Sequence, residues 1–123
     1  MPPRLSLVLA LLAPAIVMGA GACAGDPAPA VCPNDAFDAC PSSAPTFSGD
    51  AAPIIGAHCA KCHVPGGKAE KFPFETYEQI GPFAGDMKLQ LETCEMPQAP
   101  EPPLTPAQRQ AMFGWIACGA LND

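Results

Sequence analysis

Seven cysteines in a chain of 123 residues are the feature that most constrains what this sequence can fold into. They stand at positions 23, 32, 40, 59, 62, 94 and 118. One Trp, one Tyr and six Phe are few large side chains for a core, so a single domain of this length needs cross-links or a cofactor to complete it. A cysteine content this high also predicts an oxidising compartment.

Residues 1–22 predict an export signal. Arg4 supplies the positive charge, residues 5–17 supply a short apolar run interrupted by Pro14, and small residues precede Cys23. The run is short for a membrane span, although a retained anchor is the alternative. Small residues directly before Cys23 are typical of bacterial lipoproteins, which predicts lipidation of Cys23 and attachment to a membrane. Cleavage at an ordinary signal peptidase site nearby is the alternative.

The charge balance of the chain is acidic. Twelve Asp and Glu residues against six Lys and Arg give a formal net charge of −6. No run of basic residues is present, which argues against nucleic acid as a partner.

Residues 23–46 have the composition of a tether. The segment is rich in Pro, Ala, Asp and Ser and lacks a helical or strand period, which predicts an extended linker with no packed element. Cys32 and Cys40 are spaced for a small closed loop, so we predict a Cys32–Cys40 disulfide. A metal site is the competing interpretation, but further ligands are not nearby in the sequence.

The most informative motif is Cys59-Ala-Lys-Cys62-His63, the C-x-x-C-H pattern of covalent haem attachment. Asp50 as N-cap and Pro53 in the first turn predict a helix that leads into it. Two thiols on one helical turn can each add to a haem vinyl group, and the following histidine can reach the iron. Its other ring nitrogen is then free to donate to a carbonyl. The motif predicts one haem c on Cys59 and Cys62, with His63 as the proximal ligand.

Other interpretations of the motif are chance occurrence, a redox dithiol and a zinc site. A thioredoxin-like pair expects a βαβ context, and no strand pattern is present. A structural zinc site needs a second pair of ligands, and the only other histidine, His58, adjoins Cys59. We expect His58 to be a surface or packing residue.

Three methionines outside the export signal are candidates for the distal iron ligand. Met112 lies in a predicted C-terminal helix and Met87 in a predicted helix over residues 85–94, so both are expected to pack. Met96 lies in the segment 94–103, where prolines exclude helix and stiffen the backbone. A ligand on a stiff loop loses less entropy when it binds. Met96 is therefore the predicted axial ligand, with Met87 as the fallback.

The C-terminal helix has clear start and stop signals. Thr105 is the predicted N-cap, followed by Pro, and the helix continues to Cys118 with Gly119 as the stop. A Cys94–Cys118 disulfide would join this helix to the root of the Met96 loop. Two free thiols are the alternative, which an oxidising compartment disfavours.

In order along the chain, the motif pieces are Pro53-Ile54, Cys59-x-x-Cys62-His63, Met96-Pro97, Leu104-Thr105-Pro106, Gly114-Trp115-Ile116 and Gly119-Ala120. Together they resemble the class I monohaem cytochrome c domains of exported bacterial lipoproteins, with myxobacterial and planctomycete examples closest. The likeness covers residues 47–120. It implies an all-α fold, a small cytochrome c-like helical domain around one covalently attached haem, with the terminal helices crossing beside the haem. The short Gly/Ala-rich first helix and the Cys32 and Cys40 pair depart from the pattern.

These features predict a periplasmic or cell-surface electron carrier, not an enzyme, that exchanges electrons with redox protein donors and acceptors. The alternative is a haem-based sensor or binder of small ligands with a displaceable distal ligand. A peroxidase and a haem-free disulfide module rank lower. Lys61, Lys68 and Lys71 form a local basic rim in this interpretation, with a plain solvated surface as the alternative.

Overall fold

The computed structural model describes residues 31–123. This part of the chain is helical and contains no strands, as the all-α prediction requires. One π-helical turn, Phe47–Ala51, leads into α1 (Ala52–His58). After a long irregular segment, α2 (Tyr77–Ile80) continues through the 3₁₀ turn Gly81–Phe83 into α3 (Ala84–Glu92), and α4 (Pro106–Ala117) follows the proline-rich loop. Within residues 31–123, each helix is too short or too polar to cross a membrane.

The N-cap of the first helical segment lies four residues before the predicted cap. Thr46 is the N-cap, because its Oγ1 accepts a hydrogen bond from the amide of Gly49 at 3.0 Å. The carboxylate of Asp50 accepts from the amide of Thr46 at 2.8 Å, so Asp50 completes the cap from inside the helix. The prediction of Asp50 as N-cap is therefore wrong. The π-helical turn ends just before Pro53, whose missing amide hydrogen needs no partner in the first turn of α1.

Helix α4 begins and ends as its sequence predicts. Thr105 and Gln108 form a reciprocal capping box, in which each side-chain oxygen accepts from the other residue's amide, at 2.9 and 3.3 Å. Gly119 adopts φ 91°, the left-handed conformation that ends helices. Met112, Phe113 and Trp115 on this helix are almost fully buried.

The core lies between α4 and the preceding helices. Its largest fully buried side chains are those of Trp115, Phe113, Ile55 and Met112. The ring of Phe47 packs against Trp115 with centroids 5.6 Å apart, so the first helical segment contacts α4 directly. Few large side chains therefore form the core, as the composition predicts.

Residues 31–46, here called the strap, have no regular secondary structure but are packed against the helices. Arg109 of α4 is 5% exposed and donates to both carboxylate oxygens of Asp35, at 2.6 to 3.0 Å. The ring of Phe37 meets Phe113 edge-on at 6.3 Å. The expectation of an unpacked tether is wrong for these residues. Their packing depends on a few individual contacts, which leave no period in the sequence.

Both disulfides join the strap to the end of a helix. Cys32 is bonded to Cys94, two residues beyond α3, and Cys40 is bonded to Cys118, the C-cap of α4. The predicted pairs, Cys32–Cys40 and Cys94–Cys118, are therefore wrong. The strap runs from the end of α3 to the end of α4, so each of its cysteines lies beside a different helix. The short spacing between Cys32 and Cys40 in the sequence therefore does not decide which cysteines pair.

Candidate functional site

One cavity of about 690 Å³ brings together the predicted haem residues. Cys59, Cys62 and His63 lie on its wall with Met96, and Met87 also lines it. Most of the remaining lining is apolar and includes Ile54, Phe72, Phe74, Phe83, Leu91, Leu104 and Met112. The volume falls within the range of about 300–1,000 Å³ that is usual for cofactor sites.

The turn of residues 59–63, here called the attachment turn after its predicted role, continues directly from α1. The amide of Cys59 donates to the carbonyl of Ile55 at 2.8 Å and caps the helix. The amides of Cys62 and His63 both donate to the carbonyl of Cys59, at 3.1 and 3.0 Å. This tight turn carries both cysteines and the histidine to the same cavity, and both thiols are free.

The ring of His63 is held in one orientation by backbone and aromatic contacts. Its Nδ1 lies 2.9 Å from the carbonyl oxygen of Phe72. A carbonyl can only accept, so Nδ1 carries the hydrogen and Nε2 of the neutral ring is the unprotonated nitrogen. The ring also stacks on Phe74 at 4.3 Å with an interplanar angle of 3°. An imidazole in this tautomer can bind a metal ion through Nε2.

Cys59 does not have the properties of the nucleophile in a catalytic redox pair. Burial, and secondarily the neighbouring Cys62, raises the pKa of Cys59 to about 11. A nucleophilic cysteine in a redox motif has a lowered pKa, since the thiolate is the reactive form. Cys59 stays protonated at neutral pH, which disfavours the thioredoxin-like interpretation.

The opposite wall is formed by α3 and the loop over residues 95–103, here called the distal loop. The amides of Glu95 and Met96 donate to the carbonyl of Gln90 at 3.0 and 3.3 Å, which fixes the start of this loop on α3. Met96 is half-buried at the cavity. Met87 and Met112 are 7% and 1% exposed, so the prediction that both pack in the core is confirmed.

His58 is a packing residue that joins the two terminal helices, as expected. Its Nε2 lies 3.1 Å from Nε2 of Gln108 on α4. The side-chain oxygen of Gln108 already accepts from the amide of Thr105, so the Gln108 nitrogen is the donor and His58 Nε2 the acceptor. His58 Nδ1 is enclosed by protein and has no hydrogen-bond partner within the described residues. His58 therefore lines the cavity with its Nε2 already paired with Gln108 and its Nδ1 enclosed.

Three functional contributions were missed in the sequence. The Phe72 carbonyl and the Phe74 ring position His63, and Glu101 pairs with Lys61. A backbone carbonyl leaves no signal in side-chain patterns. Lys61 and Glu101 are 40 positions apart, so nothing local indicates their pairing. Lys61 therefore takes part in an ion pair, whereas one expectation was that it would contribute an unpaired charge to a basic rim.

The donor set fits haem better than a bare metal ion. Within residues 31–123, no group of three or more His, Cys, Asp and Glu side chains is arranged to hold a metal. Two free thiols, one oriented imidazole and one thioether around a mostly apolar cavity are the groups that a covalently attached haem requires.

Comparisons of the chain with protein-family models, curated proteins and solved structures found no match. The interpretation of the cavity therefore depends on its own residues, and the resemblance to cytochrome c domains stays an expectation from the motifs.

Proposed function

We propose that this protein is an electron carrier with one covalently bound c-type haem. The observation that supports it best is the shared cavity, where the free thiols of Cys59 and Cys62 meet an imidazole whose Nδ1 is held by the Phe72 carbonyl. When bound, the haem would supply an iron that changes between the ferrous and ferric states by one electron.

Each part of the proposed site has a distinct task. Cys59 and Cys62 would hold the group covalently, and His63 and Met96 would bind its iron. The Phe72 carbonyl orients His63 and increases the basicity of Nε2. The apolar walls exclude water, and a thioether ligand favours the reduced iron, so both raise the reduction potential. With both axial positions filled by the protein, electrons pass to and from redox proteins without a substrate at the metal.

The state of His58 favours a carrier over a peroxidase. A peroxidase needs an acid–base group beside an open iron position, and His58 was the only histidine left for that task. Its Nε2 is occupied by Gln108 and its Nδ1 is enclosed, so it is unsuited to proton transfer in the cavity.

The proposed location is outside the cytoplasm. Two disulfides fit an oxidising environment. The predicted export signal over residues 1–22 and the predicted lipidation of Cys23 lie outside the described residues, so we propose periplasmic or cell-surface anchoring through a lipid on the sequence alone.

The decisive experiment is a pyridine haemochrome spectrum of protein exported in a host with c-type maturation machinery, after extraction with acid acetone. Haem that stays with the chain supports the proposal, and loss of retention in Cys59→Ala or Cys62→Ala assigns the attachment. Ala60→Ser, within the same motif, is the matched control and should retain haem. A colourless wild-type protein would refute the proposal. Ferrous spectra with and without carbon monoxide then separate a closed carrier from a ligand-binding sensor.

A further inference from the structure

The distal loop is fixed to the rest of the protein very unevenly. Its start is held by the bonds to Gln90 and by the disulfide at Cys94. Its end is followed by Leu104, which is 8% exposed and belongs to the core. Between these ends, prolines at four positions remove the amide hydrogens that would otherwise form bonds.

One contact joins this loop to the turn that carries Cys59 and Cys62. Lys61 Nζ donates to both carboxylate oxygens of Glu101, at 3.0 and 2.8 Å. Apart from the bonds to Gln90, these are the only hydrogen bonds that leave the distal loop for another segment within residues 31–123. Within residues 31–123, no other hydrogen bond holds this end of the loop if the ion pair is lost.

The two residues connect the turn of residues 59–63 to the wall of the cavity. Lys61 lies between Cys59 and Cys62, in the turn fixed by the Cys59 carbonyl. Glu101 lines the cavity, and its side chain is 17% exposed against 60% for Lys61. A carboxylate shielded to this degree is screened less by salt than a fully exposed one.

We propose that the Lys61–Glu101 ion pair is a latch that holds the distal loop, and with it Met96, against the attachment turn. Both are positioning residues, because they act through Met96. The latch limits how often Met96 leaves its place and hence how easily an external ligand takes that place. This inference rests on the proposed function, since it takes Met96 as the distal ligand.

The test is imidazole binding to the ferric holoprotein, followed by visible absorption. Imidazole has to displace Met96, so Lys61→Met and Glu101→Gln should each increase its affinity by about two- to fivefold. The double variant should show no more than the larger single effect, because both changes remove one interaction. The reversed pair, Lys61→Glu with Glu101→Lys, should restore wild-type affinity. In about 1 M NaCl, where the screening length is about 3 Å, the difference in imidazole affinity between wild type and the single variants should become smaller.

Matched controls separate the latch from general charge effects. Lys71→Met and Glu78→Gln make the same changes at exposed positions without an ion-pair partner in residues 31–123. Both should leave imidazole affinity unchanged. Equal effects in the controls, additive effects in the double variant, or no effect in either single variant would overturn the proposal.

A second measurement keeps this inference separate from haem binding. Hydrogen exchange of the peptide over residues 95–104 can be followed by mass spectrometry in the protein as purified, whether or not haem is retained. Glu101→Gln should speed exchange of its amides by about two- to fivefold, with no change in α4. Unchanged exchange would refute the latch, whereas a colourless protein with faster exchange would refute only the proposed function.

Discussion

Replacing Asp35 with Asn tests whether the strap is part of the folded domain. Asp35 accepts charge-assisted hydrogen bonds from Nε and Nη2 of Arg109. Arg109 is 5% exposed, whereas the Asp35 side chain is 22% exposed. The change removes the only carboxylate that pairs with this buried cation within residues 31–123 and leaves it with neutral acceptors, which are the new amide oxygen and two backbone carbonyls. Hydrogen bonds to charged groups contribute about 1.5–3 kcal/mol, and loss of one partner of a buried pair costs about 3–5 kcal/mol. Asp35 is partly exposed and Arg109 keeps its backbone carbonyl partners, so the cost should lie below the top of this range. We expect Asp35→Asn to lower the free energy of unfolding by about 2–3 kcal/mol at neutral pH.

The same pair predicts a pH dependence with a definite sign. Hydrogen bonding to Arg109 outweighs desolvation and holds the pKa of Asp35 below its ordinary value of 3.8 in the folded protein. The unfolded chain therefore binds this proton at higher pH than the folded chain. The contribution to stability is complete above the ordinary pKa and is lost as the pH falls through the folded-state pKa. Wild type and Asp35→Asn should thus differ most at neutral pH and converge in acid.

Guanidinium chloride unfolding with intact disulfides, measured across this pH range, provides the assay. We expect the midpoint of Asp35→Asn to fall by about 1 M at neutral pH. Asp38→Asn is the matched control in the same strap, because Asp38 pairs with Lys88 through a side chain that is 90% exposed. Its midpoint should match the wild type. If Asp35→Asn matches the control, or if its deficit persists in acid, the reasoning about the buried pair is refuted.

Three further predictions concern the cavity and the cross-links. Met96→Ala should keep the haem but let the ferrous protein bind carbon monoxide, while Met87→Leu should not; the opposite result would make Met87 the ligand. Tryptic digestion without reduction should yield one species that joins the Cys94 and Cys118 peptides to the strap peptide. A species containing only the first two peptides would contradict the observed pairing. In protein made without haem attachment, alkylation of Cys59 at about pH 8 should be roughly 100-fold slower than alkylation of an unperturbed thiol. The rate should increase with pH until the pH reaches the raised pKa of about 11. A rate profile with its midpoint near an ordinary thiol pKa would contradict the buried site.

Several residues that line the cavity could be picked out from the sequence because the signals that mark them are local. Cys59, Cys62 and His63 belong to one turn, and the spacing of a turn is fixed by the backbone. Thr105 and Gly119 set the ends of α4 in the same local way, through a cap and a left-handed residue. Met96 was placed by the prolines around it. These inferences needed only residues within one turn or one loop of each other.

The tertiary structure alone decided which distant segments meet. Cys32 bonds to Cys94 and not to Cys40, because each doubling of loop length costs only about 0.6 kcal/mol and the path of the strap outweighs that preference. The strap itself packs through Asp35 and Phe37, single contacts that have no sequence period. The hydrogen bond between His63 and the Phe72 carbonyl and the ion pair between Lys61 and Glu101 were likewise decided by the tertiary structure. The sequence by itself determined the reactive groups and the helix ends, whereas long-range packing determined how those groups are oriented, shielded and held together.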